Sequence, residues 1–273
     1  VGEDVIEFKI GDRVVSNGPH AEFVCVPQNL VAKIPERVSY ESASFTIIGA
    51  IGLQGIRLLN PTFGETIVVI GLGLIGMITC QLLKANGCKV IGFDLDPDKI
   101  KLAQSLGVSA FILEQSNDRI SLIENLTLRL GADGVIITAN SKSNDIIHEA
   151  AQMCRKRGRI ILVGVVGLEL RRSDFYEKEI TFQVSCSYGP GRYDDTYEQK
   201  GIDYPIGYVR WTEKRNFEAV LNALEEGILK VDELISSIIP IESFRVVYDE
   251  ISESKNIATL FKYAENKIPE KST

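Results

Sequence analysis

Three glycines and one aspartate in this sequence have the spacing of an anion-binding turn. Gly71, Gly73 and Gly76 follow directly on an unbroken apolar run at residues 67–70, in the pattern G-x-G-x-x-G. In such a turn the first glycine permits the tight bend, the second lets the backbone approach a pyrophosphate, and the third lets the next helix pack close to the strand. A helix entering at Leu74, with Ile75 in its first turn, aims its unbonded N–H groups and its positive dipole end at the anion. A second apolar strand ends on Asp94, 18 residues past Gly76. A carboxylate there can accept hydrogen bonds from both ribose hydroxyls of an adenosine. Strand, glycines, helix, strand and acid come in the order a βαβ unit needs, which points to a dinucleotide site.

The elements that must position these residues read as an alternating α/β chain. Residues 40–60 predict a helix that starts near Ser39 or Ser42 and stops before Asn60-Pro61. Asp96 and Pro97 open another helix, which Gly107 closes. A strand at 110–113, a helix at 120–130 stopped by Gly131, a strand at 134–138, a helix from about 144 to 158, and strands at 159–164 and 180–186 complete the pattern. Six strands alternating with helices predict a doubly wound parallel sheet, with its ligand crevice at the carboxyl ends of the strands. Residues 1–45 predict short strands at 14–15, 21–27 and 31–35, an all-β piece too small to close a core and beginning as if inside a domain. Residues 188–213 break the rhythm with five tyrosines, two arginines and the only tryptophan, and no helical period. So long and aromatic a loop reads as functional rather than disordered. An amphipathic helix at 216–226, a helix at 244–252, a strand at 258–263 and a polar tail follow.

Composition narrows the function. With 273 residues, 45% hydrophobic and 25% charged, the chain suits one or two globular domains. A net charge of −7 without a basic stripe argues against nucleic acid and anionic membranes as partners, leaving a small molecule. No apolar run reaches the length of a membrane span. Cys25, Cys80, Cys88, Cys154 and Cys186 are odd in number and form no C-x-x-C pair; each reads as a small buried hydrophobe in a reducing cytoplasm.

Further marks are the turn Gly11-Asp12-Arg13-Val14, the run His20-Ala21-Glu22-Phe23 leading to Pro27, the step Lys33-Ile34-Pro35, Gly131-Ala132-Asp133 and Leu162-Val163-Gly164. With these, the chain resembles the medium-chain dehydrogenase/reductase superfamily, the relatives of zinc-type alcohol dehydrogenases, over nearly its whole length. The resemblance implies a Rossmann NAD-binding domain at 46–187, flanked by parts of a GroES-like β-barrel catalytic domain at 1–45 and 188–273. It implies that Gly71, Gly73, Leu74, Ile75 and Gly76 hold the pyrophosphate, and that Asp94, with Lys99 beside it, takes the adenosine ribose. Thr138 and Ala139 then line the adenosine side, and Val163, Gly164 and Val165 lie near the nicotinamide. Asp94 repels a 2′-phosphate and no arginine follows it, so NAD is favoured over NADP. Two departures stand out. The family's upstream zinc ligands have no counterpart after Val1, and the downstream ligand position carries Thr46; no bound zinc is expected. The 188–213 loop resembles a subgroup joined to a second oxidoreductase domain of the Gfo/Idh/MocA kind, linked to sugar-nucleotide or polysaccharide metabolism.

Other constellations carry less. Tyr263 and Lys267 have the spacing of a short-chain dehydrogenase pair but sit far from the crevice. His148-Glu149 reads as a helix surface pair, and His20 as either a proton carrier or a packing residue. Arg192, Tyr208, Arg210 and Trp211, with Tyr188 and Thr46, could contact an anionic or sugar-bearing substrate; packing of the loop or of a subunit interface is the alternative. The reading is an NAD-dependent oxidoreductase acting on an alcohol or its ketone, a homodimer or homotetramer, with no catalytic side chain assigned. The alternatives are a non-catalytic dinucleotide-binding sensor or structural module, and a zinc-dependent alcohol dehydrogenase.

Overall fold

The computed structural model describes residues 1–112, 116–250 and 255–264. Strand β1 (Val14–Ser16) pairs antiparallel with β2 (Val31–Lys33). Two helices follow, α1 (Tyr40–Ala43) and α2 (Thr46–Leu59), and then the alternating region: β3 (Thr66–Ile70), α3 (Leu74–Ala85), β4 (Lys89–Phe93), α4 (Pro97–Ser105), β5 (Ser109–Phe111), α5 (Ser116–Leu126), β6 (Ala132–Ile137), α6 (Asp145–Met153), β7 (Cys154–Leu162), α7 (Arg172–Tyr176) and β8 (Thr181–Val184). Beyond it come α8 (Asp195–Glu198), α9 (Glu213–Glu225), β9 (Ile235–Pro240), α10 (Phe244–Glu250) and β10 (Ala258–Lys262).

The six strands β3 to β8 form one parallel sheet in the order β5-β4-β3-β6-β7-β8. The order reverses between β3 and β6, so the carboxyl ends of these two strands flank the crevice of a doubly wound sheet. The apolar run of β3 is buried on both faces, as its composition requires. Ile67 and Val69 enter a core with α2, α3 and α9, while Val68 enters the opposite core with Ile91, Ile123, Ile147 and Ile160. Helix α4 starts as its sequence indicates, with the Asp96 side chain accepting from the Asp98 N–H at 2.9 Å and Pro97 in the first turn.

Several boundaries differ from the sequence reading. The helix expected at 40–60 is two helices, because Ser39 caps a first turn that stops at Ala43. No strand forms at 21–27, where Phe23, Val24 and Cys25 are exposed; alternating residues make a strand only against a ladder partner. The helix expected to run to Gly158 ends at Met153. There Lys178 Nζ donates to the carbonyls of Ala151, Gln152 and Cys154 at 2.8–3.0 Å, closing the helix with a cation, and the chain passes directly into β7. Helix α5 covers 116–126 rather than 120–130. The Thr127 hydroxyl takes the Ile123 carbonyl and receives the Gly131 N–H, which bends the chain early. Strand β9, which pairs parallel with β10, was absent from the sequence reading because Ile235-Ser-Ser-Ile-Ile-Pro lacks alternation. The 188–213 stretch contains one short helix, α8. Leu113, Ser252 and Lys267 lie outside the described residues.

The three carbonyl contacts of Lys178 replace bonds a helix end otherwise leaves unmade. Lys178→Ala is therefore expected to lower unfolding free energy by about 1–3 kcal/mol in urea titrations. An unchanged midpoint would mean that α6 needs no such cap.

Candidate dinucleotide site and the loop beside it

The glycine turn is built by mutual exclusion of side chains. Gly71 has φ +95°, and a Cβ on it would lie 2.7 Å from the backbone of Ala139. A Cβ on Gly76 would overlap the Gly71 carbonyl oxygen, and one on Gly164 would overlap the Ala139 carbonyl oxygen. Thr138 closes the arrangement, its N–H donating to the Ile70 carbonyl at 2.9 Å and its hydroxyl to the Gly71 carbonyl at 2.5 Å. Val163 and Gly164 both donate to the Ile137 carbonyl at 2.8–2.9 Å, and Val165 donates to Ala139 at 3.0 Å. The structure thus brings Gly71, Gly76, Thr138, Ala139, Val163, Gly164 and Val165 together at the ends of β3, β6 and β7.

Gly73 is the opposite case. Nothing lies within 4 Å of where its Cβ would be, and α3 begins at Leu74 without a side-chain cap. The N–H groups of the first turn therefore face open space, and Gly73, Leu74 and Ile75 are all partly exposed. Asp94 follows the end of β4 beside this turn. Its carboxylate accepts from the N–H groups of Leu72 at 2.7 Å and Asp96 at 2.9 Å, which fixes its orientation and leaves each oxygen a free lone pair. Lys99 sits partly exposed in the first turn of α4.

The loop residues divide into separate places. Tyr188 is buried, its ring edge-on to Phe217 and its hydroxyl accepting from Asn17 Nδ2 at 2.9 Å. Arg192 pairs with Glu198 at 2.8 Å. Arg210 and Trp211 stack together and against Arg57, and Tyr208 stands 91% exposed. Thr46 is fully buried, its hydroxyl without a partner. His20 packs edge-on to Phe261, lining a cleft of about 540 Å³ that contains none of the glycine-turn residues. His148 and Glu149 are not a surface pair: His148 Nδ1 meets the buried Asp174 carboxylate at 2.8 Å, and Glu149 pairs with Arg119. Cys80, Cys88 and Cys154 are buried as expected, but Cys25 and Cys186 are exposed.

The sequence reading missed Arg57, Asn17 and Glu213. Glu213 opens α9 after the capping Thr212, a position whose pattern indicates an ordinary solvated first-turn acid. Instead it is fully buried, and neither carboxylate oxygen has a hydrogen-bond partner. Burial, helped by the nearby Glu198 carboxylate, pushes it up to about 8. It is therefore a neutral acid at pH 7, held inside the loop's packing.

The strand order, the buried parallel strands and the glycine turn define a Rossmann-type domain. A family model described as zinc-binding dehydrogenase matches residues 75–200. D-guloside 3-dehydrogenase of Escherichia coli (strain K12) is 29% identical over 248 residues, covering 87% of this chain; the chain spans only 66% of that relative's length. 2R,3R-butanediol dehydrogenase from Bacillus subtilis superposes with a TM-score of 0.74 at 21% identity, over 97% of this chain and 77% of its own. Two further similar structures, each 21% identical, are an Escherichia coli alcohol dehydrogenase complexed with NADH and a Sinorhizobium meliloti dehydrogenase bound to NADP. They cover 87% of this chain and 63% and 62% of their own, with TM-scores of 0.68 and 0.63. These likenesses, to a zinc-binding dehydrogenase model over residues 75–200 and to curated dehydrogenases over most of this chain, make it similar to the zinc-type alcohol dehydrogenases.

Among the described residues no three His, Cys, Asp or Glu side chains are close enough to hold a metal, and Thr46, which the resemblance equates with a ligand position, offers only a neutral hydroxyl. No helix among the described residues is long and apolar enough to cross a membrane.

Glu213 gives a signed prediction. Its folded value lies above the unfolded 4.5, so the folded chain binds the extra proton between about 4.5 and 8, and stability falls as pH rises through that window. Glu213→Gln removes this term. Its unfolding midpoint is expected to gain steadily on the parent's from pH 5 to pH 8; parallel pH profiles would contradict the assignment.

Proposed function

We propose that the chain binds a nicotinamide dinucleotide, NAD in preference to NADP, and uses it to oxidise a secondary alcohol or reduce its ketone. The observation that carries this reading is the uncapped start of α3, open at Gly73, beside the oriented Asp94 carboxylate. The bound dinucleotide supplies the hydride donor or acceptor.

This chain's own residues supply the rest. The first-turn N–H groups at Leu74 and Ile75 and the helix dipole attract the pyrophosphate. Asp94 takes the ribose hydroxyls, and its charge disfavours a 2′-phosphate. Lys99 lies on the same side, and Thr138 and Ala139 floor the adenosine half. Val165, 69% exposed, offers an apolar face to the nicotinamide ring, with Val163 and Gly164 beneath it. A sugar or sugar-nucleotide hydroxyl is the preferred substrate class, supported by the likeness to a guloside dehydrogenase. Residues 1–45 and 188–273 serve as parts of a catalytic domain around the central sheet. The five free cysteines support a cytoplasmic setting. The outer edge of β8, which among the described residues pairs only with β7, supports assembly with a second copy. The exposed Ile202, Ile206 and Tyr208 support contact with a second oxidoreductase domain. A non-catalytic dinucleotide sensor is the second reading, favoured by the neutral, buried Thr46 at the family's metal position.

Fluorescence titration with NADH and NADPH tests the cofactor reading. Saturable NADH binding is expected, at least about tenfold tighter than NADPH, which corresponds to about 1.4 kcal/mol. Asp94→Ser should weaken NADH and erase most of that ratio. Equal affinity for both cofactors in the parent would refute the role given to Asp94. NADH binding without turnover of any sugar or alcohol by the full-length protein would favour the sensor.

A further inference from the structure

Arg57 and Arg210 stack on the one indole of the chain, their guanidinium carbons 3.3 Å and 3.8 Å from the Trp211 ring centre. Two planar forks that close to one ring can only lie on its opposite faces. Ring attraction explains the contact of either cation. It does not explain why both lack a counter-charge.

Three neighbouring cations have one: Arg192 pairs with Glu198, Lys214 with Glu7, and Arg215 with Asp203. Arg57 and Arg210 have no carboxylate at ion-pair distance among the described residues, in a chain that carries 37 acidic side chains against 30 lysines and arginines. Arg57 is held in place, half-buried, by its Nε donating to Asn216 Oδ1 at 2.8 Å; Asn216 is itself fully buried and donates to the Tyr188 carbonyl at 2.8 Å. That leaves the terminal amino groups of Arg57 free of protein acceptors. Burial, with Arg210 close by, pushes Arg57 down to about 10, the direction expected of a cation kept without its anion.

We propose that Arg57, Trp211 and Arg210 form a cationic receptor for a small-molecule oxyanion, a phosphoryl or carboxylate group held beside the stack by the free N–H donors of a guanidinium fork. The fork geometry suits such a group, since each guanidinium can present two parallel N–H donors to two oxygens. The indole Nε1–H is a further donor at the ring edge. The receptor is separate from the cofactor turn. Gly55 of α2 packs on Val163 at the end of β7, and Arg57 lies about 200° further round the helix. An anion there relieves the repulsion between the two arginines and ties α2 to the loop before α9. The proposal does not depend on the dinucleotide reading.

Trp211 reports on the site directly, being the only tryptophan. Its emission is followed while inorganic phosphate or, in a second arm, acetate replaces chloride at constant ionic strength and pH. A saturable change with at least one of them is expected, and the arm that saturates at lower concentration identifies the phosphoryl or the carboxylate source. Arg210→Gln, an exposed position, should weaken that saturation at least tenfold while the thermal midpoint stays within about 2 °C. Arg57→Gln should weaken the saturation at least tenfold too, with a lower thermal midpoint because the buried Asn216 loses its donor, and the double variant should abolish the saturation. Emission that follows ionic strength alone, or a saturation curve unchanged in Arg210→Gln, would overturn the proposal.

Discussion

The structure depends on a place where no side chain can be. At the crossover between β3 and β6, a Cβ on Gly71 would press on Ala139, one on Gly76 would overlap the Gly71 carbonyl, and one on Gly164 would overlap the Ala139 carbonyl. These approaches are hydrogen-bonded from the other side by Thr138, Val163, Gly164 and Val165. Three strand ends are thereby drawn to one point, and the start of α3 is left as the open surface above it. A packed crossover beneath an unpacked helix start is what turns a parallel sheet into an anion cradle.

The same economy of side chains links this crossover to the rest of the chain. Helix α2 meets Val220 of α9 at Gly49, Thr79 of α3 at Gly52 and Val163, just past β7, at Gly55. It lies between the sheet and the segment that carries Tyr188, Trp211 and α9. Its far face holds Arg57 and Gln54, which reach Trp211 and Asn216. Any shift of the loop that moves Asn216 or Trp211 is therefore felt on a helix whose other face touches the end of β7. This contiguity is a physical route between the loop and the cofactor side of the sheet.

The sheet was legible because its signals are local. Buried parallel strands must be continuous apolar runs, and Gly, Asp and Pro punctuate them in ways that backbone sterics force. The glycine spacing and the terminal Asp94 were legible for the same reason. Boundaries set by distant groups were not. Nothing within residues 145–158 says that Lys178 will close the helix at Met153, and nothing in Ile235-Ser-Ser-Ile-Ile-Pro says that it will pair with 258–262. The candidate site was half-legible. Residues on the βαβ unit stand where spacing put them, but the loop residues divide between a buried cluster and a cation stack. The approach of Arg57 to Trp211 joins segments more than 150 residues apart, and the burial of Glu213 comes from the folding of the loop back over its own helix start; neither leaves a local mark on composition.

The central claim is that the open first turn of α3 is where a dinucleotide sits. Hydrogen exchange of the amides from residue 72 to residue 77, read by mass spectrometry with and without saturating NADH, tests it most directly. The account predicts slowed exchange there and in the segment around Asp94, because a bound pyrophosphate takes the free N–H groups. Unchanged exchange at those amides, with protection elsewhere in a chain that demonstrably binds NADH, would contradict it.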